Sequence, residues 1–588
     1  MCVQPVRWPE PDPEVAAAIA AMYRGRKAAP PLAVLVRGRL GEWLADEDFA
    51  AAFGDRGRPG WSPSRLALVL VLQRAENLTD RAAADAVRMR LDWKYLLGLS
   101  ADDPGFDHSV LPEFRGRVAQ AGLEQAVLDA LLARLAEEGL VKARGKQRTD
   151  STHVIAAAAV LSRMQLTGES VRALLEALTA AHPAWTVQWI CVSDWVLRYG
   201  TPMTSWRPPA SRAEQDELAV AYARDGYALL EAVYHPSSPG WLRELPAVDV
   251  LRRVLVQNWT RAITAGGQEV IRRREKESTG GDGLPPGRDR ISSPYDTDAR
   301  WGAKREEYWL GYKLHVSETC DDPPPCTCPP APGGSGDEHA GDCAHLVFPN
   351  LITAVATTTA AVTDAEMTAV INDDLAGKDL APGQHYLDSG YLSAALIVSE
   401  LARHGMALTG PPLADNSRQA RAGGYTQQAF TIDWDRRQVT CPQGVTTSRW
   451  QPARTRDGRE FINIAFPAAT CRTCPVRDKC TTSQRNGRQL SLRPRQIHEA
   501  LTAARAAEDA PSFQAGYSRR AGIEGTMHQA ASHGARRARY RGLPRTRLDH
   551  AYMAVALNLI RLEAYWTGTP LDRQRTSHLA RLELTLTA

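Results

Sequence analysis

The order of strand-like and helix-like segments between residues 145 and 410 is the feature that most limits the folds open to this chain. Five segments rich in β-branched and aromatic residues are predicted strands, namely GKQRTDSTHV (145–154), YWLGYKLHV (308–316), LITAVATTTAAV (351–362), HYLD (385–388) and MALTG (406–410). The first three can pair as an antiparallel meander, whereas the later two need helical crossovers. This order predicts an α/β fold with an RNase H-like mixed five-stranded sheet flanked by helices.

Acidic residues lie where two of these strands would meet. Asp150 lies within the first predicted strand, and Asp388 ends the fourth. An RNase H-like sheet places its first and fourth strands side by side, so the two carboxylates would be neighbours in space. A later segment, YSRRAGIEGTMHQAAS (517–532), is predicted to form a helix that carries Glu524 and could pack across the same edge. The alternative for Asp388 is that it only caps the helix predicted over 391–404.

Three carboxylates in one crevice would repel one another unless cations bridge them. Mg²⁺ prefers oxygen ligands and commonly binds one or two carboxylates together with phosphate oxygens. Two such ions about 4 Å apart can activate water on one side of a phosphate and stabilise the leaving oxygen on the other. The acidic set therefore predicts metal-dependent phosphodiester chemistry.

Helical segments and two insertions surround the predicted sheet. Residues 1–140 are predicted to form a helical N-terminal DNA-binding domain, because two of its helices could form a helix-turn-helix. Plain helical packing is the alternative for that pair. An RNase H-like catalytic domain is predicted over 141–570, followed by a C-terminal tail over 571–588. A helical insertion and linker over 155–300 and a Cys-containing insertion over 411–510 interrupt the catalytic domain.

Four cysteines follow the pattern C-x29-C-x2-C-x5-C within the second insertion. Ten cysteines in 588 residues are too few for a disulfide framework. One C-x2-C pair with two further thiols could close a tetrahedral zinc site that pins the insertion, and free thiols are the alternative. The four residues are Cys441, Cys471, Cys474 and Cys480.

Arginine is concentrated near the C-terminal end, although the whole chain has a net charge of only +4. The segment from Ala515 to Arg547 contains eight arginines, no lysine and one acidic residue. Near a metal site such a segment would neutralise DNA phosphates, and a solvated basic loop is the alternative. The candidate phosphate-binding residues are Tyr517, Arg520, Arg536, Arg537, Arg539 and Arg541.

The stretches TDSTHV, HYLDSGY and YSRRAGIEGTMHQ, with GYKLHV between the first two, resemble the DDE transposases of bacterial insertion sequences. The resemblance extends from about residue 45 to residue 565. It is strongest to the branch with a helical N-terminal domain and a Cys cluster before the last catalytic helix. The resemblance implies an Asp-Asp-Glu site formed by Asp150, Asp388 and Glu524, which would bind two Mg²⁺ or Mn²⁺ ions.

The late helix of this family often carries the pattern Y-x2-R-x3-E-x6-K. Tyr517, Arg520 and Glu524 match its first three positions, whereas Ala531 stands in place of the lysine. His528, or the nearby Arg536 and Arg537, could serve instead. The guanidinium of Arg520 has a planar fork that suits a phosphate oxygen.

The resemblance implies a DNA transposase that cuts the ends of its element and transfers the 3′-OH strand to target DNA. Its partners would be double-stranded DNA, both the terminal inverted repeats and the target, and a second copy of the chain in a homodimer. One alternative is a metal-dependent nuclease of the same fold that cuts without strand transfer. The other alternative is a catalytically decayed derivative that only binds DNA. The missing lysine is consistent with this alternative.

Membrane insertion and secretion are not expected from the sequence. No stretch approaches the ~20 apolar residues of a membrane span. The N-terminus, MCVQPVRWPEPDPEV, lacks the basic and apolar pattern of a secretory signal. We therefore expect a cytoplasmic, nucleoid-associated protein.

Overall fold

The computed structural model describes residues 8–321 and 349–568, apart from the single positions 55, 58, 59, 206, 265, 305, 413, 457 and 509. The predicted tail over 571–588 lies outside these residues. No helix in the described part of the chain is long and apolar enough to cross a membrane.

The N-terminal region is helical, as the sequence predicts. Local signals set its helix boundaries: Ser62 and Pro63 begin the third helix, and Thr79 Oγ1 accepts a hydrogen bond of 3.2 Å from the N–H of Ala82 to begin the fourth. The helices are α1 (Pro13–Tyr23), α2 (Leu32–Leu40), α3 (Pro63–Ala75), α4 (Asp80–Met89), α5 (Leu91–Leu97), α6 (Val110–Gln120) and α7 (Ala126–Glu137).

The next segment contains the central mixed sheet and the first insertion. The first strand is β1 (Lys146–Ile155). The insertion after it comprises α8 (Arg163–Ala181), α9 (Pro183–Trp189), α10 (Val192–Tyr199), α11 (Arg212–Tyr234), α12 (Pro246–Asn258), β2 (Trp259–Ile263) and β3 (Glu269–Arg273). The sheet continues with β4 (Arg300–Lys304), β5 (Glu307–Thr319), β6 (Ile352–Thr359), α13 (Asp364–Gly377), β7 (Gln384–Tyr386), α14 (Ala394–His404) and β8 (Ala407–Thr409).

The strand order of this sheet is β6-β5-β1-β7-β8, with β4 paired to the first part of β5. Strand β5 is antiparallel to both β1 and β6, whereas β1, β7 and β8 are mutually parallel in that order. The antiparallel meander and the parallel pair joined by helices confirm the predicted mixed α/β architecture, which is consistent with an RNase H-like fold. Strand β4 is an addition that the sequence did not predict.

The second insertion contains two small three-stranded sheets, β9-β10-β11 and β12-β13-β14, before the last helices. A 3₁₀ turn at Ser518–Ala521 separates the helix that ends at Tyr517 from the helix that begins at Gly522. In chain order the elements are α15 (Arg418–Arg421), β9 (Thr431–Asp433), β10 (Gln438–Thr440), β11 (Thr446–Thr447), β12 (Trp450–Arg454), β13 (Glu460–Ala465), α16 (Ala468–Arg472), α17 (Arg477–Cys480), β14 (Gln489–Leu492), α18 (Arg495–Glu508), α19 (Pro511–Tyr517), α20 (Gly522–Ser532) and α21 (Leu543–Thr567).

One hydrophobic core joins the N-terminal helices to the central mixed sheet. Helix α21 is buried at its centre and packs against β6 on one side and against α3, α6 and α7 on the other. The first insertion has its own core, which includes the buried side chains of Trp185, Tyr222 and Trp259. The second insertion also has a separate small core around Phe430 and Phe466. The N-terminal helices therefore pack as part of the body that holds the sheet.

Candidate active site

Strand β1 supplies the first acidic side chain. Asp150 is paired with Val316 of β5. The pairing of β1 with β7 ends two residues earlier, at Arg148 and Tyr386. Its side chain is 14 % exposed, and its Oδ1 accepts a hydrogen bond of 2.8 Å from the N–H of Ser151. Burial raises the pKa of the Asp150 carboxyl, while the nearby positive charge of Arg520 opposes that shift.

Asp388 lies in the turn that follows β7. Its Oδ1 accepts hydrogen bonds from the N–H groups of Gly390, at 2.9 Å, and Tyr391, at 3.3 Å. Helix α14 begins only at Ala394, and Ser393 is its N-terminal cap. The predicted helix over 391–404 therefore starts three residues too early, and the alternative that Asp388 caps it is wrong. Because the turn holds one carboxylate oxygen, the other is directed to a different partner.

The guanidinium of Arg520 is the partner of the second Asp388 oxygen, and it lies close to all three predicted acidic residues. Arg520 Nη2 lies 2.9 Å from Asp150 Oδ2 and 3.9 Å from Asp388 Oδ2. Arg520 Nη1 lies 3.8 Å from Oε1 of Glu524, one helical turn later. All three carboxylates therefore surround one cationic group, although Glu524 itself is 71 % exposed. The predicted continuous helix over 517–532 is interrupted, because Arg520 lies in the 3₁₀ turn between α19 and α20.

A buried ionic network holds α20 against the sheet. Glu318 of β5 is fully buried and accepts hydrogen bonds from Arg148 Nε at 2.7 Å, from Thr526 Oγ1 at 2.5 Å and from Arg561 Nη1 at 2.8 Å. These side chains come from β1, α20 and α21, so one carboxylate joins three elements. Arg148 also donates to the carbonyl oxygen of Arg519 in the 3₁₀ turn. The network thus sets the position of the turn that carries Arg520.

Gly522, the first residue of α20, allows this close approach. A Cβ atom at this position would lie 2.1 Å from Nη1 of Arg148, well inside van der Waals contact. Arg148 cannot readily move away, because its guanidinium is bonded to Glu318 and to the Arg519 carbonyl. The sequence offered no signal for these residues, since none of them belongs to the acidic pattern.

Tyr517 also lies at the site, at the C-terminal end of α19. Its ring stacks on Phe513 with centroids 5.5 Å apart. Burial raises the pKa of the Tyr517 hydroxyl, the charge of Arg520 lowers it, and the nearby carboxylates of Asp388 and Asp150 raise it further. The phenol is therefore neutral at ordinary pH and able to donate a hydrogen bond near the three acids.

A fourth carboxylate near the site was missed by the sequence analysis. Asp364, the first residue of α13, accepts a hydrogen bond of 3.1 Å from Ser151 Oγ, next to Asp150. Lys313 of β5 pairs with it at 3.1 Å and offsets its charge. Asp364 directly follows Thr363, the N-terminal cap of α13, and no sequence pattern connected it with Asp150 or Asp388.

The position that often carries lysine in related helices is Ala531, on the same face of α20 as Glu524. His528 lies one turn after Glu524 on this face, and its side chain is exposed. His528 is therefore an exposed polar side chain one helical turn after Glu524 on the same face of α20.

The basic segment that follows α20 contacts two parts of the molecule, strand β1 and the turn between α3 and α4. Ile155, at the end of β1, forms a parallel bridge with Arg537. Arg536 Nε lies 3.3 Å from Thr152 Oγ1, two residues from Asp150 on β1. Arg539 donates to the carbonyl oxygen of Leu78 and to Asn77, in the turn between α3 and α4. The segment therefore runs from the acidic site to the N-terminal helices.

The arginines of this segment differ in their surroundings. Arg536, Arg537 and Arg541 are exposed, whereas Arg539 is partly buried by its contacts with the α3–α4 turn. The guanidinium of Arg541 lies over the ring of Tyr295, 5.0 Å from its centroid. The exposed members form a positive surface that begins beside the acidic site.

The four cysteines of the second insertion line one small cavity of about 40 Å³. Burial raises the pKa of the Cys480 thiol, and the three other cysteines are near enough to raise it further. The backbone N–H of Arg488 lies 3.5 Å from Sγ of Cys471. The four cysteines therefore lie around one cavity, and thiolates are among the donors that zinc prefers.

Metal geometry is not preformed at either cluster. In the described ranges, no three His, Cys, Asp or Glu side chains are arranged to hold a metal ion as they stand. The donor chemistry nevertheless fits, because Asp150, Asp388 and Glu524 are hard oxygen donors gathered around a single positive charge. A divalent cation would satisfy the same three carboxylates that Arg520 now offsets.

Two protein-family models match parts of the chain. The model described as "Transposase DDE domain" matches residues 440–563, a range that includes the cysteine cluster and Glu524. The model described as "Transposase domain (DUF772)" matches residues 32–117, which span helices α2 to α6. No curated protein and no solved structure gives a significant match. Asp150 and Asp388 lie outside both matched ranges, so their assignment depends on the fold and the geometry.

Proposed function

We propose that this chain, a DDE transposase of an insertion element as the two family matches support, cuts the ends of its element and joins each freed 3′-OH to target DNA. Transposase families act on DNA, and the DDE domain implies dependence on a divalent metal ion. The finer proposal concerns the chemistry, which would be water-mediated cleavage followed by in-line attack of the 3′-OH on a target phosphodiester.

One observation supports the proposal most strongly. The carboxylates of Asp150, Asp388 and Glu524, which are far apart in the sequence, all lie within 4 Å of the guanidinium of one arginine. Chance surface pairs rarely gather three acids from separate elements at one edge of a sheet. Such a cluster suits a site for cations and phosphates.

Asp150, Asp388 and Glu524 would hold the divalent ions, which we propose to be two Mg²⁺ or Mn²⁺ ions. When bound, such ions activate water and stabilise charge on the oxygens of a phosphodiester. Arg520 would bind a non-bridging phosphate oxygen through its planar fork. Tyr517 would donate a hydrogen bond to the same phosphate, because its raised pKa keeps the phenol protonated.

The DNA on either side of the cleaved bond would contact the basic segment. Exposed Arg536, Arg537 and Arg541 would neutralise phosphates next to the site. We propose that Arg539 contributes by holding this segment against the α3–α4 turn as well as by its charge. Because the substrate is DNA, the protein would act on the nucleoid.

The proposed domains follow from this arrangement. The helices over 1–140 would bind the terminal inverted repeats, with α3 and α4 as the helix-turn-helix, and the catalytic domain over 141–570 would carry out the chemistry. The helical insertion over 155–300 would contact the element end or the second subunit of a homodimer, because both ends must be held together. The cysteine cluster would bind a structural zinc ion in the insertion over 411–510.

A joining assay with a pre-cut element end tests the proposal. We expect the purified protein, with Mg²⁺, to transfer the 3′-OH of that end into plasmid DNA. A protein that cuts intact ends but never joins a pre-cut end would be a nuclease, which would contradict the strand-transfer part of the proposal. A protein that binds ends without cutting or joining would be a decayed derivative.

A further inference from the structure

The backbone pairing of the sheet ends before it reaches either Asp150 or Asp388. Strands β1 and β7 are parallel, and their last paired residues are Arg148 and Tyr386. Each acidic residue lies two positions beyond the last paired residue of its own segment. Because Mg²⁺ demands nearly ideal octahedral geometry, two carboxylates that share a metal site need another element to hold them in place.

Helix α13 begins beside the segment that carries Asp150. Its first residue, Asp364, accepts a hydrogen bond of 3.1 Å from Ser151 Oγ, and the backbone N–H of Ser151 donates to Asp150 Oδ1 at 2.8 Å. Lys313 of β5 anchors the start of the helix, because its Nζ lies 3.1 Å from Asp364 Oδ1 and 2.8 Å from the carbonyl oxygen of Val362. A single serine therefore connects the helix to the carboxylate of Asp150.

The next turn of the same helix holds the turn that carries Asp388. Thr368 lies four residues after Asp364, is 1 % exposed, and donates a hydrogen bond of 2.8 Å from Oγ1 to the carbonyl oxygen of Tyr391. The backbone N–H of Tyr391 donates to Asp388 Oδ1 at 3.3 Å. Residues four apart lie on one side of a helix, so one side of α13 contacts both acidic segments, through Ser151 and through Tyr391.

Tyr391 also connects the Asp388 turn to the sheet. Its side chain is fully buried, and its hydroxyl forms a hydrogen bond of 2.6 Å with Nδ1 of His315. His315 of β5 is in turn paired with Ser151 of β1. The buried contacts therefore run from one acidic segment through α13 to the other and return through β5.

We propose that Asp364 and Thr368 are positioning residues, which fix the separation of the Asp150 and Asp388 carboxylates for the binding of divalent metal ions. Each acts through a neighbour whose backbone N–H holds one of these carboxylates. The proposal rests on the proposed function, because it takes the two aspartates as metal ligands. Loss of an outer partner of this kind typically weakens metal binding by about 10- to 100-fold.

The test measures Mn²⁺ binding to the full-length protein without DNA, through the electron paramagnetic resonance signal of free Mn²⁺. Binding that the wild type shows and Asp388→Asn lacks reports the acidic site. We expect Thr368→Val, which keeps the shape of the side chain but removes the donor, to weaken this binding by about 10- to 100-fold. Asp364→Ala should weaken it in the same range. Thr368→Ser, which retains a hydroxyl, should bind Mn²⁺ as the wild type does.

Thr546→Val is the matched control for the loss of a buried hydroxyl. Thr546 of α21 is also 1 % exposed, and its Oγ1 donates a hydrogen bond of 2.8 Å to a carbonyl oxygen, that of Gly542 at the start of the same helix. This variant should lower the Tm about as much as Thr368→Val does, because the lost bond is of the same kind. It should leave Mn²⁺ binding unchanged.

Wild-type affinity for Mn²⁺ in either Thr368→Val or Asp364→Ala would overturn the proposal. Equal weakening by Thr546→Val would also overturn it, because the effect would then follow from lost stability. So would equal Mn²⁺ binding by the wild type and Asp388→Asn, since the acidic site would then hold no ion. If the wild type bound Mn²⁺ at this site but failed to cut or join element ends, the proposed function would fall, and weaker Mn²⁺ binding by the two variants would still support the positioning role.

Discussion

Nη2 of Arg520 lies 2.9 Å from Oδ2 of Asp150, which places an arginine of the late helical segment against the first strand of the sheet. The same guanidinium is within 4 Å of Asp388 and Glu524. Three carboxylates this close would repel one another without a nearby cation. Arg520 therefore acts as the internal counter-ion of the site in the absence of metal.

Removing this counter-ion should make the stability of the protein depend more strongly on metal. We expect Arg520→Ala to lower the Tm in the absence of divalent ions. The Mg²⁺-dependent rise in Tm should be larger in this variant than in the wild type, because only Mg²⁺ would then offset the repulsion among the three carboxylates. The measurement is thermal unfolding with and without Mg²⁺. Arg519→Ala, which removes a charge from the same turn, is the control; equal Mg²⁺ shifts in Arg520→Ala and wild type would contradict the expectation.

The close approach of α20 to β1 should depend on Gly522. We expect Gly522→Ala to lower the Tm and reduce DNA cleavage, because the new Cβ would displace Arg148 from Glu318 and move the turn that carries Arg520. Gly525→Ala is a matched control on the same helix, since nothing lies within 4 Å of a Cβ at that position.

Alanine is the better helix former by about 1 kcal/mol, so the control should be neutral or stabilising. The comparison needs only thermal unfolding of the two variants. If Gly522→Ala were as stable as Gly525→Ala, the account of the Arg148 contact would be wrong.

The sequence predicted the sheet because its strands have strong β propensity and their order leaves few topologies. It also gave Asp150, Asp388 and Glu524 as candidates, and the structure places all three carboxylates within 4 Å of the guanidinium of Arg520. It did not predict the 3₁₀ turn at Ser518–Ala521. At that break Arg148 donates a hydrogen bond to the Arg519 carbonyl, a tertiary contact with no local signal.

Dependence on tertiary contacts also explains why the sequence analysis missed Glu318 and strand β4. Glu318 lies near the end of β5, two residues beyond the predicted strand, and its burial with Arg148 and Arg561 depends on elements that are distant in sequence. Strand β4 is short and pairs only with the start of β5, so its polar sequence resembled a loop. Long-range pairing of this kind cannot be derived from periodicity.

Three buried histidines should make the protein less stable in mild acid. Burial lowers the pKa of His315 to about 4, of His385 to about 3 and of His550 to about 4. Between these values and the ordinary pKa near 6.5, the unfolded chain binds more protons than the folded one, so stability is lost as the pH falls from about 7 towards 4.

Each such histidine contributes up to about 1.4 kcal/mol per pH unit in that window. We expect a clear decrease in Tm between pH 7.5 and pH 5.5, and a smaller decrease in His385→Gln than in the wild type. A Tm that is independent of pH over this range would show that the histidines are accessible to protons in the folded state.

The cysteine cavity should hold one zinc ion per chain. We expect metal analysis of the purified protein to find zinc, and Cys474→Ser to lose it together with some thermal stability, because the second insertion would lose a link across its small core. Cys191→Ser, which changes an exposed cysteine of the first insertion, should retain the zinc. Retention of a full equivalent of zinc by Cys474→Ser would exclude this site.

The most direct test of the acidic site is Mg²⁺-dependent cleavage of element-end DNA by the wild type and by Asp388→Asn, which keeps the shape of the side chain but removes its charge. The geometry predicts that the wild type cuts and that Asp388→Asn loses at least about 10²-fold of the rate while still binding the same DNA. Equal cleavage by the two proteins would contradict the assignment of Asp150, Asp388 and Glu524 as one catalytic site.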